Sequence, residues 1–133
     1  MNPKAEAHLR RSKDELEAAQ ILFSSSFGDG AIHSAYFAMF HAATAMGLAE
    51  GITFPPCSGW LAAFGEVFAT TGKIDREFHD DLLEAYRLRQ IADYDWREQI
   101  SDEVAESTLN KATEFVAMAE KFLKEAGGEL ERT

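Results

Sequence analysis

The stretch AIHSAYFAMFHAATAMGLAE, residues 31–50, decides the fold of this chain. Its alanines recur at helical spacing along one side, and aromatic residues and methionines occupy most of the remaining surface. His33, Ser34, His41 and Thr44 are the interruptions. A helix that is apolar nearly all round is buried nearly all round. The sequence therefore predicts a central helix with neighbours on every side, or with a second copy of the chain against it.

The segments before and after this stretch carry helix boundary signals. Asn2-Pro3 is a helix N-cap followed by proline at the first helical position, and the first helix should end in the serines 24–26. Residues 27–30, which contain two glycines, are predicted to form a turn. Gly51 is predicted to end the central helix. The first helix and the central helix are therefore expected to be joined by a short turn.

Three further helices are predicted after the central one. Ser58 follows a proline-containing loop and should cap a short helix, and Asp75 and Ser101 should begin two longer ones. Gly127-Gly128 is predicted to stop the last helix and leave residues 127–133 as a loose tail. The prediction is an all-α, up-and-down bundle of four long helices and one short helix, forming a single domain over residues 1–133.

Composition limits the classes of function. The chain has 133 residues, of which 46% are hydrophobic and 27% charged, as in an ordinary globular domain. Cys57 is its one cysteine, so no internal disulfide can form, and no apolar run is long enough to cross a bilayer; we expect a cytoplasmic protein. The net charge of −10 argues against general DNA binding, because such binding depends on neutralising phosphates.

The sequence gives little indication of a metal site built on histidines or of a cysteine nucleophile. His33 and His41 lie two turns apart on one helix, but no ligand-pair spacing on a facing helix accompanies them. We therefore predict neither a metal site nor a cofactor. His41, within an apolar helix, is interpreted as a hydrogen-bonded core histidine. Cys57 lies beside prolines without an evident base and is interpreted as a small buried side chain.

The stretch YRLRQIADYDW, residues 86–96, is the remaining candidate for a site. Residues four apart share a helix face, so Arg89 should pair with Asp93, with Tyr86 one turn earlier on the same side. Tyr94 should point elsewhere. An ion pair near a helix end is common and contributes little. However, two arginines, two tyrosines and a tryptophan in one short stretch are more typical of a site or an interface.

Three segments together carry a family resemblance. They are AYFAMFHAA at residues 35–43, Phe64-Gly65 with Thr71-Gly72-Lys73, and LRQIADY at residues 88–94. They resemble the HEPN-domain proteins, in particular the small bacterial and archaeal UPF0332-like group. The likeness extends over nearly the whole chain. It implies a helical bundle that forms a homodimer through its central helices. It also implies a minimal nucleotidyltransferase as a partner, in an arrangement of the toxin–antitoxin type.

The chain departs from this family at one important position. HEPN ribonucleases carry an arginine followed, after four to six residues, by a histidine, and they cleave RNA without a metal. Here Arg89 is followed at those spacings by Tyr94, Asp95 and Trp96, so the histidine is missing. Tyrosine, with a pKa of about 10, does not simply replace histidine as a base at neutral pH. The isolated protein is therefore not expected to cut RNA appreciably.

Three hypotheses remain open. The first is a non-catalytic dimeric module that binds a nucleotidyltransferase partner, or a nucleotide or RNA in a cleft around Arg89, with Arg87 and Tyr94 as further binding residues. The second is a metal-independent ribonuclease toxin with a degenerate motif, for which the catalytic candidates are Arg89, Asp93, Tyr94 and His41. The third is a structural helical interaction protein. By the resemblance, Tyr94 is also a candidate for modification by a nucleotidyl group.

Overall fold

The computed structural model describes residues 2–55, 59–95 and 99–132, with side chains as far as residue 126. The predictions made for Cys57, Ser58 and Trp96 lie outside these residues. None of the described helices is both long enough and apolar enough to cross a membrane.

Five α-helices form the described chain, and no strand occurs in it. Their bounds are Pro3–Ser24 for α1, Gly28–Ala49 for α2, Gly59–Phe64 for α3, Arg76–Tyr94 for α4 and Asp102–Arg132 for α5. The short helix α3 continues into a π-helical turn, Gly65–Ala69. The predicted all-α fold of four long helices and one short helix is confirmed.

The start of the chain follows its predicted boundaries with one exception. The Asn2 side chain accepts hydrogen bonds from the backbone N–H groups of Lys4 and Ala5, at 2.8 and 3.4 Å. Helix α2, however, begins at Gly28, so the prediction of a turn over residues 27–30 was wrong for most of that segment. The reversal instead uses Ser26, whose φ of 69° is the left-handed conformation a turn requires.

Among the later helix boundaries, two match their predictions and one does not. Gly51 has a φ of 74° just after α2, and the Ser101 hydroxyl accepts from the Val104 N–H at 3.3 Å, as expected of a C-terminal glycine and an N-cap serine. Gly127-Gly128 does not stop α5, which continues to Arg132. Glycine weakens a helix interior by only about 1 kcal/mol per residue, which a long helix can absorb. The looseness of the tail stays a prediction.

Helix α2 is the centre of the bundle and packs against α1, α4 and α5. Its alanine and methionine side chains belong to the buried core, together with aromatic residues of α3 and α5. The prediction of a helix buried nearly all round is confirmed within one chain, except along one side. That side, the α2 outer stripe, comprises His33, Phe37, Phe40, His41, Thr44 and Leu48, all partly or fully exposed.

Candidate functional site

Three buried residues hold α2 and α4 beside each other at one end of the bundle. Ile32 of α2, Leu88 of α4 and Ala105 of α5 form an apolar cluster in which each is at most 7% exposed. His33 follows Ile32 in the chain, and Arg89 follows Leu88. The packing of Ile32 and Leu88 therefore brings His33 and Arg89 to the same edge of the bundle. The apolar contact beneath them fixes the spacing of the polar groups above.

Asp93 joins the two helices through its carboxylate. Its Oδ2 accepts from Arg89 Nη1 at 3.2 Å, one turn earlier on α4. The same carboxylate lies 2.9 and 3.1 Å from Nδ1 of His33, which comes from α2. The Arg89 side chain is only 16% exposed, that of Asp93 21%, and that of His33 46%. The predicted Arg89–Asp93 interaction is confirmed, and a histidine is added to it.

Aromatic rings surround the Arg89 guanidinium. Its Cζ lies 5.0 Å from the ring centroid of Tyr36, 5.3 Å from that of Phe37 and 6.0 Å from that of Tyr86. Arginine over an aromatic face is attracted by the ring quadrupole, more strongly when water is excluded. Arg89 Nε is buried and has no hydrogen-bond partner in the described chain. We call His33, Tyr36, Phe37, Tyr86, Arg89 and Asp93 the Arg89 cluster.

The rings of the Arg89 cluster are themselves held in place. The Tyr86 hydroxyl accepts from Gln90 Nε2 at 2.9 Å. Tyr36 is 3% exposed and shares a hydrogen bond with the Trp60 side chain. Burial raises the pKa of the Tyr36 phenol, against the opposing effects of Trp60 and the Arg89 charge. Tyr36 therefore stays neutral at physiological pH and acts as a rigid wall behind the guanidinium.

The structure brings together only some of the residues that the sequence selected. Arg87 lies on another side of α4, where its Nη2 is 2.8 Å from Glu84 Oε1, and this contact lowers the pKa of Glu84. Tyr94 is 72% exposed at the last residue of α4. His41 is partly buried and not a core histidine as predicted; its Nδ1 lies 3.1 Å from Nδ1 of His8 on α1. The cleft predicted around Arg89 stays a prediction.

Sequence reasoning missed His33 as a member of this site. Its candidate histidine was His41. The imidazole that contacts the Asp93 carboxylate belongs to His33, which lies about two turns earlier on α2. The available signal was the shared face of the two histidines on α2. That signal does not show which end of α2 meets the end of α4, because the answer depends on tertiary packing.

The described chain has no group of three or more histidine, cysteine, aspartate or glutamate side chains placed to hold a metal ion. His33 and Asp93 make a pair only. The chemical groups that the Arg89 cluster offers are a guanidinium, a carboxylate-bonded imidazole and aromatic faces. These groups suit an anionic ligand that carries a ring.

Comparison with known proteins agrees with this architecture. The family model described as the HEPN domain matches residues 5–130 of the chain. The chain belongs to the HEPN family. The match extends into all five helices, so the HEPN resemblance predicted from a few short segments is confirmed.

Individual relatives extend the family assignment. A Methanocaldococcus jannaschii protein, provisionally named a toxin, is 35% identical over 86% of this chain and 78% of its own length. A UPF0332 protein of Gloeobacter violaceus is 31% identical over 92% of this chain and 98% of its own. A UPF0332 protein of Thermotoga maritima is 29% identical over 87% of this chain and 88% of its own. The likeness therefore spans most of both sequences in each case.

Proposed function

We propose that this HEPN protein is a toxin-type component of a toxin–antitoxin pair and that it binds a nucleotide or RNA at the Arg89 cluster. The observation that carries the proposal is the state of Arg89, which is mostly buried against three aromatic rings and has one carboxylate contact. A guanidinium has five N–H donors in a fixed fork. Its position favours an anionic ligand at the edge of the cluster.

Phosphate is the anion that best fits these groups. Arginine pairs with phosphate through short charge-assisted hydrogen bonds, and its planar fork can make two of them at once. Phe37, on the α2 outer stripe, is partly exposed beside the guanidinium and offers a face on which a base can stack. Because the chain has a net charge of −10, the attraction must be local, and binding should weaken with added salt.

The partners form part of the same proposal. The toxin-type role draws on the relative named as a toxin, and a minimal nucleotidyltransferase as the partner draws on the family resemblance. A homodimer would cover the part of the α2 outer stripe that includes Phe40 and Leu48, which are only partly buried in one chain. Light scattering at micromolar concentration should give twice the monomer mass. A monomer mass would exclude this part of the proposal.

Tyr94 is the proposed acceptor of a nucleotidyl group from that partner. Its phenol is at the end of α4 and is 72% exposed, so an enzyme can reach it. Co-expression with a minimal nucleotidyltransferase, if one is encoded beside this protein, should add whole nucleotidyl units to the intact mass. The added mass should be absent from Tyr94→Phe protein. An unchanged mass with an active partner would contradict the modification.

The binding proposal is tested with labelled single-stranded RNA and mononucleotides, by fluorescence anisotropy at low and moderate salt. Arg89→Ala should lose binding, whereas Arg76→Ala, an exposed arginine at the start of the same helix, should keep it. A third possibility, a structural role for Arg89, predicts a different result. In that case Arg89→Ala lowers the unfolding midpoint, and the wild-type protein binds no ligand.

A second candidate function, a metal-independent ribonuclease, is favoured by the position of His33. An ionised carboxylate only accepts hydrogen bonds, so the contact with Asp93 places the proton of neutral His33 on Nδ1 and leaves Nε2 as the base. The arginine and the imidazole then share one carboxylate. Such a group can move protons while Arg89 neutralises a phosphate.

The proposed reaction is an internal transfer within RNA. His33 Nε2 takes the proton of a 2′-hydroxyl, and the 2′-oxygen attacks the adjacent phosphorus. The bond from phosphorus to the 5′-oxygen breaks, and the imidazolium returns its proton to that oxygen. A 2′,3′-cyclic phosphate and a 5′-hydroxyl result, with no other reactant consumed. RNA binding without cleavage in the presence of a chelator would support the first function and exclude the second.

A further inference from the structure

The second histidine of the α2 outer stripe belongs to a separate group of side chains. Nδ1 of His41 lies 3.1 Å from Nδ1 of His8 on α1, and the two rings stack with their centroids 5.3 Å apart. A contact between two such nitrogens requires one donor and one acceptor. One imidazole therefore carries a proton on Nδ1, and the other has a bare Nδ1 and carries its proton on Nε2.

An open depression of about 400 Å³ lies beside this pair. Arg10 and Arg11 of α1 line it together with both imidazoles. Arg10 forms no ion pair with any residue that the structure describes, and Arg11 contacts Glu15 at 3.3 Å. Two guanidinium groups and two imidazoles thus meet at one place in a chain that has 23 acidic and 13 basic residues. The depression therefore concentrates basic groups, beside one carboxylate of Asp14, on a chain whose net charge is −10.

We propose that this depression binds a phosphate group and that binding places one proton on the His8–His41 pair. A single added proton occupies the bare Nε2 of the donor ring. The contact between the two Nδ1 atoms is kept, the pair gains one positive charge, and both rings then present an Nε2–H donor. A second proton would occupy the accepting Nδ1 and break the contact. The paired geometry therefore accommodates one proton.

The surroundings of His41 oppose a positive charge on its ring when no anion is present. Burial lowers the pKa of His41, and the charges of His8 and Arg11 lower it further, while Glu15 has the opposite effect. The Asp14 carboxylate also lines the depression and opposes a second negative charge there. A bound anion reverses the balance, because it favours the protonated pair. Affinity for an anion of constant charge should therefore rise as the pH falls toward the His41 pKa.

This inference does not depend on the function of the Arg89 cluster. The ligand is defined by its phosphate group, which inorganic phosphate, a nucleotide and an RNA backbone all carry. Sulfate is a useful first probe, since it has a similar shape and its charge stays constant near neutral pH. Comparison of sulfate, inorganic phosphate, a mononucleotide and a short single-stranded RNA then identifies the source of the natural ligand.

The test uses NMR of the histidine ring protons in the full-length protein, during titration with sulfate. The resonances of His8 and His41 should shift, and those of His79, which is partly buried and bonded to the Leu61 carbonyl, should not. Calorimetry in two buffers of different ionisation enthalpy should detect proton uptake, approaching one proton per sulfate. Unshifted His8 and His41 resonances, or binding without proton uptake, would overturn the proposal.

Variants separate this site from the rest of the surface. Changing both Arg10→Gln and Arg11→Gln should weaken sulfate binding about tenfold or more, as expected when charge-assisted hydrogen bonds are lost. Lys4→Gln, an equally exposed change on α1, is the matched control. His8→Gln should abolish proton uptake, with circular dichroism to verify the fold. Equal affinity in the double arginine variant and the control would contradict the assignment.

Discussion

The two histidines on the outer stripe of α2 occupy contrasting environments. His33 and His41 are eight residues apart, or about 12 Å along the helix axis at roughly 1.5 Å per residue. His33 contacts the carboxylate of Asp93 from α4, whereas His41 contacts the imidazole of His8 from α1. The same residue type on one helix face therefore acquires two different partners.

The partner determines which proton each ring can exchange. A carboxylate is only an acceptor when ionised, so the neutral His33 ring carries its proton on Nδ1 and has an Nε2 that can accept another. An imidazole can be donor or acceptor, so His8 and His41 can exchange these roles and share one additional proton. Under the two proposals, His33 would be an oriented general base at one end of α2, and the His8–His41 pair would be a protonation-linked binding group further along it.

The largest expected effect comes from removing the oriented base. If the protein cleaves RNA, His33→Gln should lower the cleavage rate about a hundredfold or more, the range typical of a lost general acid–base group. Single-turnover cleavage of a labelled RNA measures this effect. Thr44→Ala, on the same stripe but outside both histidine sites, should retain the wild-type rate. Equal rates in His33→Gln and wild type would remove the distinction between the two histidines.

The second largest effect is expected from removing Arg89, the proposed phosphate contact beside His33. Arg89→Ala should weaken RNA or nucleotide binding about tenfold or more, because charge-assisted hydrogen bonds to phosphate are lost. Arg89→Lys should restore part of the affinity, since lysine keeps the charge without the planar fork. Anisotropy titrations measure both variants. Undiminished binding by Arg89→Ala would place the ligand elsewhere.

A smaller effect should follow from removing a buried hydrogen bond between α1 and α2, which meets α2 at Ala38, between His33 and His41 in sequence. The Ser12 hydroxyl of α1 donates to the carbonyl of Ala38, at 2.7 Å and with no exposure of Ser12. Ser12→Ala should lower the free energy of unfolding by about 1 kcal/mol, the usual net contribution of such a bond. Urea unfolding measures it, with exposed Ser107→Ala as the control. A loss no larger than that of the control would show that the bond contributes nothing net.

The smallest effect is a pH dependence of stability due to His41. Its folded-state pKa is lowered from 6.5, so between the two values the unfolded chain binds more protons than the folded chain. Stability should therefore rise with pH across the window from that lowered pKa to 6.5, and fall on acidification. His41→Gln should flatten this part of the profile. Unfolding midpoints at several pH values test it, and an unchanged slope in His41→Gln would contradict it.

The sequence contained most of the information on the fold because helix boundaries depend on local signals. The Asn2 cap, the Gly51 terminus and the Ser101 cap were predicted from a few neighbouring residues each. The errors have local causes too: glycine is only weakly unfavourable within a helix, so Gly28 and Gly127 did not act as breaks. The apolar residues on nearly every side of α2 correctly predicted that it is the central helix.

The site was harder to predict from the sequence than the fold, because the contact of His33 with Asp93 depends on tertiary packing. Arg89 and Asp93 are four residues apart, so helical periodicity alone was sufficient to pair them. His33 is 60 positions away from Asp93 and reaches it only through the packing of Ile32 against Leu88. Periodicity placed His33 and His41 on one face of α2, but it could not show which of them meets α4.

The distance in sequence between His33 and Asp93 has a consequence for the newly made protein. At a synthesis rate of roughly 5–20 residues per second, Asp93 is added roughly 3–12 s after His33. Ala105, which completes the apolar contact beneath both residues, is made later still. The nascent chain therefore cannot assemble the His33–Asp93–Arg89 arrangement on its apolar support until Ala105, of 133 residues, has been added. A partner that binds the emerging N-terminal helices would meet the chain before it has any such site.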